Sequence, residues 1–362
     1  MNTGDPRENT GPAAMGSGSA EAASRAPASR AHAVPAGDAP AAAPRRRSWG
    51  RVLRVGFLVI ALGFGAWAVA GQWDAVAAAF GRLSWGALAM SLVAVVGALG
   101  CGMMVWRALL ADLGSRLPLR PAGKIFFIGQ LGKYIPGSIW PMVAQMEMGR
   151  DHGVPRSRSA AAFFLAFPVQ LGSGLLIAAV TLLASTPRSI GPYAWALLLI
   201  PVTLVALEPR VINKVIAFGL RKLRREPLPV PLTRKGMLTA LMWATIGWVM
   251  YGAHLAAVLS EFVAGFTLVH LAVFSVGAFA LSWCLGIMTF VVPAGAGVRE
   301  VAMVAVLMPV LGAAGGQGTA IAVALVSRMV IVMGDLICAV CGGWAARRTA
   351  GSAQGHAQQN AL

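Results

Sequence analysis

Two stretches of this chain combine helix-breaking residues with charge. The first is Gly129-Gln130-Leu131-Gly132-Lys133-Tyr134-Ile135-Pro136-Gly137-Ser138-Ile139-Trp140-Pro141. Proline cannot continue the helical hydrogen-bond ladder and glycine weakens it, so a helix must break here. A helix that restarts after a break points the positive end of its dipole, and its free N–H groups, at whatever sits in the gap. Lys133 adds a full charge. The combination suits an anion such as a phosphate headgroup, with Lys133, Tyr134, Pro136, Gly137 and Trp140 as the binding candidates. The plainer alternative is anchoring, with Lys133 snorkelling to the interface and Tyr134 and Trp140 at headgroup depth.

The second stretch is Val292-Pro293-Ala294-Gly295-Ala296-Gly297-Val298-Arg299-Glu300. It repeats the Gly/Pro-plus-cation chemistry of the first. Paired interruptions of this kind mark binding sites in many transporters. Glu300 in a first helical turn also complements the helix dipole, so capping is its plainer role. A third pair, Arg328 and Asp335, lies in the last apolar stretch. Seven residues separate them by two turns, roughly 10 Å along one helix face, too far to pair with each other. The partners in reach by type are Glu300 for Arg328, and Arg299 or Lys133 for Asp335. Charges at such positions face the protein interior, either as a site or as structural ion pairs.

Other reactive residues point nowhere. Cys101, Cys284, Cys338 and Cys341 all lie in apolar stretches, and the CxxC of Cys338 and Cys341 has no second ligand pair. His254 and His270 have no Asp, Glu or Cys at ligand spacing. Glu147 and Asp151 are close without a cleft to serve. No phosphate-binding loop, dinucleotide fingerprint or GxSxG is present. The sequence therefore predicts no catalytic residues, no metal and no cofactor.

The elements that must position these residues are membrane helices. Of 362 residues, 57% are hydrophobic and only 12% charged, about half the charged fraction of a soluble domain. The net charge of +17 raises nucleic acid as a partner, but Lys and Arg cluster between apolar stretches. That is the pattern of membrane topology and of contact with anionic lipid, and no nucleic-acid binding is expected. Residues 1–48 are rich in Ala, Gly, Pro and Ser and read as a disordered cytoplasmic segment. The basic run Arg45 to Arg54 before the apolar run 55–70 resembles a signal peptide, but its distance from the N-terminus favours an uncleaved first span.

Further apolar runs follow at 86–110, 122–146, 159–185, 191–208, 237–260, 268–292, 298–314 and 319–344. The broken run 122–146 is basic on both flanks: Arg107, Arg116, Arg120 and Lys124 before it, Arg150, Arg156 and Arg158 after it. Both flanks belong on the cytoplasmic side, so this segment is expected to be re-entrant. The result is an all-α polytopic membrane protein with about eight transmembrane helices plus a re-entrant broken helix. Its membrane domain covers 49–346, with a short cytoplasmic tail at 347–362. Both termini are expected in the cytoplasm and the protein in the plasma membrane, because the basic loop from Arg210 to Lys235 then also falls inside.

The two interrupted segments resemble the signatures of the transmembrane domain of lysylphosphatidylglycerol synthase/flippase and its stand-alone relatives. The matching residues are Gly129 to Gly137 with Trp140 and Pro141, and then Pro293 to Glu300, similar to a Pro-Gly-Gly-x-Gly-x-Arg-Glu run in which Ala294 replaces the first glycine. Arg328 matches an arginine of the family's last helix. The resemblance spans roughly residues 50–345.

It implies a flippase or transporter of an anionic, aminoacylated or polyprenyl-phosphate-linked lipid. Lys133, Tyr134, Pro136, Gly137, Trp140, Arg299, Glu300, Arg328 and Asp335 would form its binding site. Only a short tail follows Trp344, so lysyl transfer, and enzymatic activity generally, is not expected. The implied partners are phosphate-bearing membrane lipids and a lipid-modifying enzyme or glycosyltransferase. The competing expectations are a membrane-embedded glycosyltransferase or its accessory acting on lipid-linked sugar, and a non-transporting scaffold that uses its basic loop.

Overall fold

The computed structural model describes residues 77, 81–135, 139–185, 194–222, 231–263, 265–288, 295, 297–311 and 316–359. The expected disordered segment 1–48 and the expected first span 55–70 lie outside the described residues, as do Pro136, Gly137, Pro293 and Ala294. Among the described residues the regular structure is entirely helical.

Ten α-helices are described: α1 (Trp85–Asp112), α2 (Leu119–Gln130), α3 (Trp140–Arg150), α4 (Arg156–Ser185), α5 (Ala194–Ala206), α6 (Pro209–Lys222), α7 (Arg234–Leu259), α8 (Leu268–Ile287), α9 (Val298–Leu311) and α10 (Gly316–Gln359). Hydroxyl side chains define three starts. Ser84 caps α1 by accepting from the Ala87 N–H, Thr233 caps α7 at Gly236 and Thr267 caps α8 at His270.

Among the described residues five helices are long and apolar enough to cross a bilayer: α1, α4, α7, α8 and the Gly316–Trp344 part of α10. The expectation of eight spans is thus met only in part. α5 has 13 residues and α9 has 14, which rise only about 20 Å against a core of about 30 Å. The long helices are apolar all round, as helices surrounded by other helices and lipid must be. Val93, Leu238, Leu268, Val301 and Val340 point outward, exposed. In water such a surface would aggregate; against acyl chains it is the solvated side.

α1 and α7 run along each other through the bundle and contribute to both of its buried clusters. One cluster gathers α8, α9 and α10 around Trp248, Phe279 and Met303. The other gathers α2, α4 and α6 around Trp106, Leu109 and Met237. Asp112, at the end of α1, accepts from both the backbone N–H and the hydroxyl of Thr233, at 2.7 and 2.6 Å. That carboxylate fixes where α7 begins.

The broken segment folds back on itself. α2 ends at Gln130, one 3-10 turn covers Leu131–Tyr134, Ile135 is extended, and α3 starts at Trp140 with Pro141 in its first turn. Gly132 lies against the Trp140–Pro141 backbone, and Gly129, one turn earlier, lies against Gln145 and Ala144 of α3. These pairings make α2 and α3 the antiparallel arms of a hairpin. The arms, 12 and 11 residues long, each rise less than about 20 Å.

Candidate functional site

The tip of that hairpin is charged, and its partners come from the other end of the chain. Lys133 Nζ lies 2.8 Å from Asp335 Oδ1 and 2.7 Å from Oδ2. The Tyr134 hydroxyl donates to the same carboxylate. Asp335, on α10, is buried, while the lysine side chain keeps 28% of its surface exposed. The 3-10 turn explains why two successive residues reach one acceptor. Its tighter winding and the extended Ile135 end the helix early, leaving the Lys133 and Tyr134 side chains at the tip rather than along a helix face.

Two turns earlier on α10, Arg328 Nη1 lies 3.5 Å from Glu300 Oε1. The other Glu300 oxygen accepts from the Gly297 N–H at 2.6 Å and so closes the first turn of α9. Glu300 therefore does both things expected of it from sequence: it caps, and it pairs with Arg328. Gly297 has φ +84° and Gly295 φ +64°, left-handed values that a side-chain-bearing residue adopts only with strain. Gly295 also packs against the Gly286 backbone, where a Cβ would meet the carbonyl oxygen at 2.7 Å. The glycines of the second motif thus let the chain turn tightly into α9 and hold it against α8.

Tyr134 joins the two pairs into one cluster. Lys133 Nζ lies 5.4 Å and the Arg328 guanidinium 6.0 Å from the centre of its ring. Arg299 is buried and stands over the Phe279 ring of α8 at 4.8 Å. Among the described residues it forms no ion pair. Phe279 in turn stacks on Tyr251 of α7, with ring centres 4.6 Å apart and planes within 10°. Trp140 sits at the start of α3 with its backbone against Gly132, the residue as a whole 39% exposed. Pro136 and Gly137 lie outside the described residues.

Phe279 and Tyr251 were not legible as site residues, because an aromatic inside an apolar run reads as core. A second polar element was equally hidden. His254, fully buried on α7, bonds through Nδ1 to Ser91 of α1 at 2.6 Å and through Nε2 to Ser327 of α10 at 2.8 Å. Sequence spacing left His254 isolated; its partners are 163 and 73 residues away.

Cys338 is buried and Cys341 exposed on the last helix, both free. Among the described residues no group of His, Cys, Asp and Glu could hold a metal ion.

A helical bundle with, among the described residues, five helices long and apolar enough to cross a membrane, and a partly buried charged cluster between a broken hairpin and the last helix, defines an integral, multi-pass membrane protein. The family described as lysylphosphatidylglycerol synthase TM region matches residues 54–337. The chain belongs to that family. No curated protein shows a significant match to it.

Proposed function

We propose that this protein is a lipid flippase or related transporter whose charged cluster receives an anionic headgroup. The observation that carries the reading is the charge balance of the cluster. Lys133, Arg299 and Arg328 supply three cations against the two carboxylates of Glu300 and Asp335. Arg299 is the surplus cation, buried against the Phe279 ring and Gly286, within the field of Arg328 and Glu300 but in ion-pair contact with no carboxylate among the described residues. A charge in that position costs several kcal/mol, of order 3, and marks a functional site in membrane proteins. A phosphate group would offset that cost. The carboxylates would receive the amine of an aminoacylated lipid, while a polyprenyl-phosphate-linked lipid would use the cations alone.

The hairpin is read as re-entrant, entering and leaving on the cytoplasmic side of the plasma membrane, with both termini in the cytoplasm. Its antiparallel arms and their short rise support this, together with the basic residues on both flanks. The protein works as a transporter and not an enzyme in this reading, beside a partner that makes or uses the lipid, such as a lipid-modifying enzyme or glycosyltransferase.

The test is headgroup transfer in vesicles of phosphatidylcholine and phosphatidylglycerol containing the purified protein, with a fluorescent phosphatidylglycerol, an aminoacylated analogue and a polyprenyl phosphate as substrates. Wild type should move one of them between leaflets. Arg299→Ala should insert normally and transfer at the protein-free rate. Undiminished transfer by Arg299→Ala, or none by wild type on any substrate, overturns the reading.

A further inference from the structure

A groove of about 300 Å³ runs down the outside of the bundle, away from the charged cluster. One wall is a stripe on α7: Arg234, Met237, Leu238, Leu241 and Thr245. Steps of three and four residues put these on one helix face, and from first to last they cover about 16 Å. The facing wall is Leu176 and Ile177 of α4, and Leu204 and Leu207 of α5 close the side. None of the lining residues belongs to the hairpin, α9 or α10, so this groove is separate from the cluster around Lys133 and Arg299.

Polar demand is concentrated at one end. Ser173 touches the groove, but its hydroxyl already accepts from Trp248 Nε1 at 3.0 Å and donates to the Gln170 carbonyl. At the opposite end Arg234 Nη2 stands 3.2 Å from Glu208 Oε1, with the arginine side chain 69% and the glutamate side chain 38% exposed. An exposed pair of this kind is weak, and an incoming anion can exchange for its carboxylate.

The surroundings of that end are basic. α6 starts there and carries Arg210, Lys214, Arg221 and Lys222 with no acidic residue. Its orientation is fixed, because Asn213 donates to the Leu232 carbonyl and accepts from the Leu232 N–H, each at 3.0 Å. Ile212 is buried and Asn213 tied down, while Arg210, Lys214, Val215 and Phe218 are all exposed. A helix with one buried face and an exposed surface that mixes basic and apolar residues belongs at the boundary between headgroups and acyl chains.

The geometry points to a binding site for one anionic phospholipid on this face. Its acyl chain would lie along the α7 stripe from Met237 to Thr245, parallel to the helix and so to the chains of the bilayer. Its phosphate would sit at Arg234 and Arg210. A groove that binds only by apolar contact has no means to prefer anionic over zwitterionic lipid. The basic end supplies that preference, at about fivefold per nearby cation. This lipid is held at the periphery and is not the transported one.

The experiment uses the full chain in phosphatidylcholine nanodiscs. These are doped with phosphatidylglycerol or phosphatidylcholine carrying a photoreactive diazirine on one acyl chain, and cross-linked peptides are mapped by mass spectrometry. The phosphatidylglycerol probe should mark α7 around Leu238 and Leu241, and mark it more strongly than the phosphatidylcholine probe does. Leu241→Trp should remove that label by filling the groove. Arg234→Glu with Arg210→Glu should reduce it about fivefold for each charge. Label on the exposed Leu336 and Val340 of α10 should stay constant in every variant, which reports an intact fold. The Lys133→Ala/Arg299→Ala variant should keep the α7 label, so failure of the transport reading leaves this one standing. Equal marking by the two probes, label that survives Leu241→Trp, or label lost with the Lys133 and Arg299 variant would each overturn the proposal.

Discussion

Lys133 and Asp335 stand 202 residues apart in sequence and form the closest ion pair of the cluster, at 2.7 Å. The pair ties the tip of the broken hairpin to the last membrane helix. Asp335 is almost completely buried, so removing the lysine leaves a carboxylate with one hydroxyl donor, Tyr134, and no cation in contact. Lys133→Ala should lower stability by about 3 kcal/mol, the lower end for breaking a buried pair, since Lys133 itself keeps some exposure. Replacing both partners, Lys133→Met with Asp335→Leu, removes the buried charge altogether and should recover most of that loss. If the pair served only to hold the bundle together, transport would recover with it. In the flippase reading transport stays lost, because Lys133 is part of the cationic site. Unfolding in mild detergent and lipid transfer in vesicles, measured on the same three proteins, separate the two roles.

The buried histidine makes a different prediction. His254 has hydrogen bonds at both ring nitrogens, to Ser91 and Ser327, and so ties together α1, α7 and α10. A neutral imidazole donates at one nitrogen and accepts at the other, which matches two hydroxyl partners. His254→Ala removes the ring and leaves two serines in an apolar core, at a cost of about 3 kcal/mol. Ser91→Ala alone strands one buried ring nitrogen and should cost about 1–2 kcal/mol, less than His254→Ala, which strands two hydroxyls and opens a cavity. Ser327 immediately precedes Arg328, so His254→Ala should also weaken transfer by loosening that part of α10. Thermal unfolding of the purified variants checks the order of the two effects.

Much of this was readable from residue types. The break at Gly129 to Pro141 follows from proline and glycine chemistry alone, and the structure has it. The pairs Glu300–Arg328 and Lys133–Asp335 were among those that charge type allowed, because a buried charge must find an opposite one and few were available. What the sequence could not show was which apolar residues complete the cluster. Phe279 and Tyr251 differ from core aromatics only by their neighbours, and neighbours from distant helices leave no local pattern. The same limit hid the partners of His254. The span count was met only in part for another reason. Hydropathy registers an apolar run such as 298–314, but the described helix within it, Val298–Leu311, is too short to cross the bilayer by itself.

The sidedness of the hairpin has a direct chemical test. Arg116 and Ser157 flank the segment before α2 and after α3, and both are exposed. Ser260, beyond α7, is exposed and lies on the opposite side in the proposed topology. Cysteines placed singly at these positions in a cysteine-free background should react with a membrane-impermeant maleimide in two ways. Arg116→Cys and Ser157→Cys should label only after the cells are permeabilised. Ser260→Cys should label in intact cells. Labelling of Arg116→Cys and Ser157→Cys from opposite sides would make the segment a full span and reverse every element after it.

The hairpin itself depends on one close approach. A Cβ on Gly132 would lie 2.8 Å from the Pro141 nitrogen and 2.9 Å from the Trp140 carbonyl carbon, both backbone atoms that cannot swing aside. Gly132→Ala must therefore push the two arms apart, at a cost of about 1–3 kcal/mol. The neighbouring Lys133 would then move away from Asp335, so the loss should fall on transport as well as on stability. Gly100→Ala on α1 is the matched control. Nothing lies within 4 Å of a Cβ there, and alanine is the better helix former by about 1 kcal/mol. Its stability should be unchanged or higher, with transport intact. The comparison isolates steric separation of the arms from the general effect of a glycine substitution. If Gly132→Ala were as stable and as active as Gly100→Ala, the arms would not need to touch, and the position of Lys133 would have to be set by something other than the hairpin.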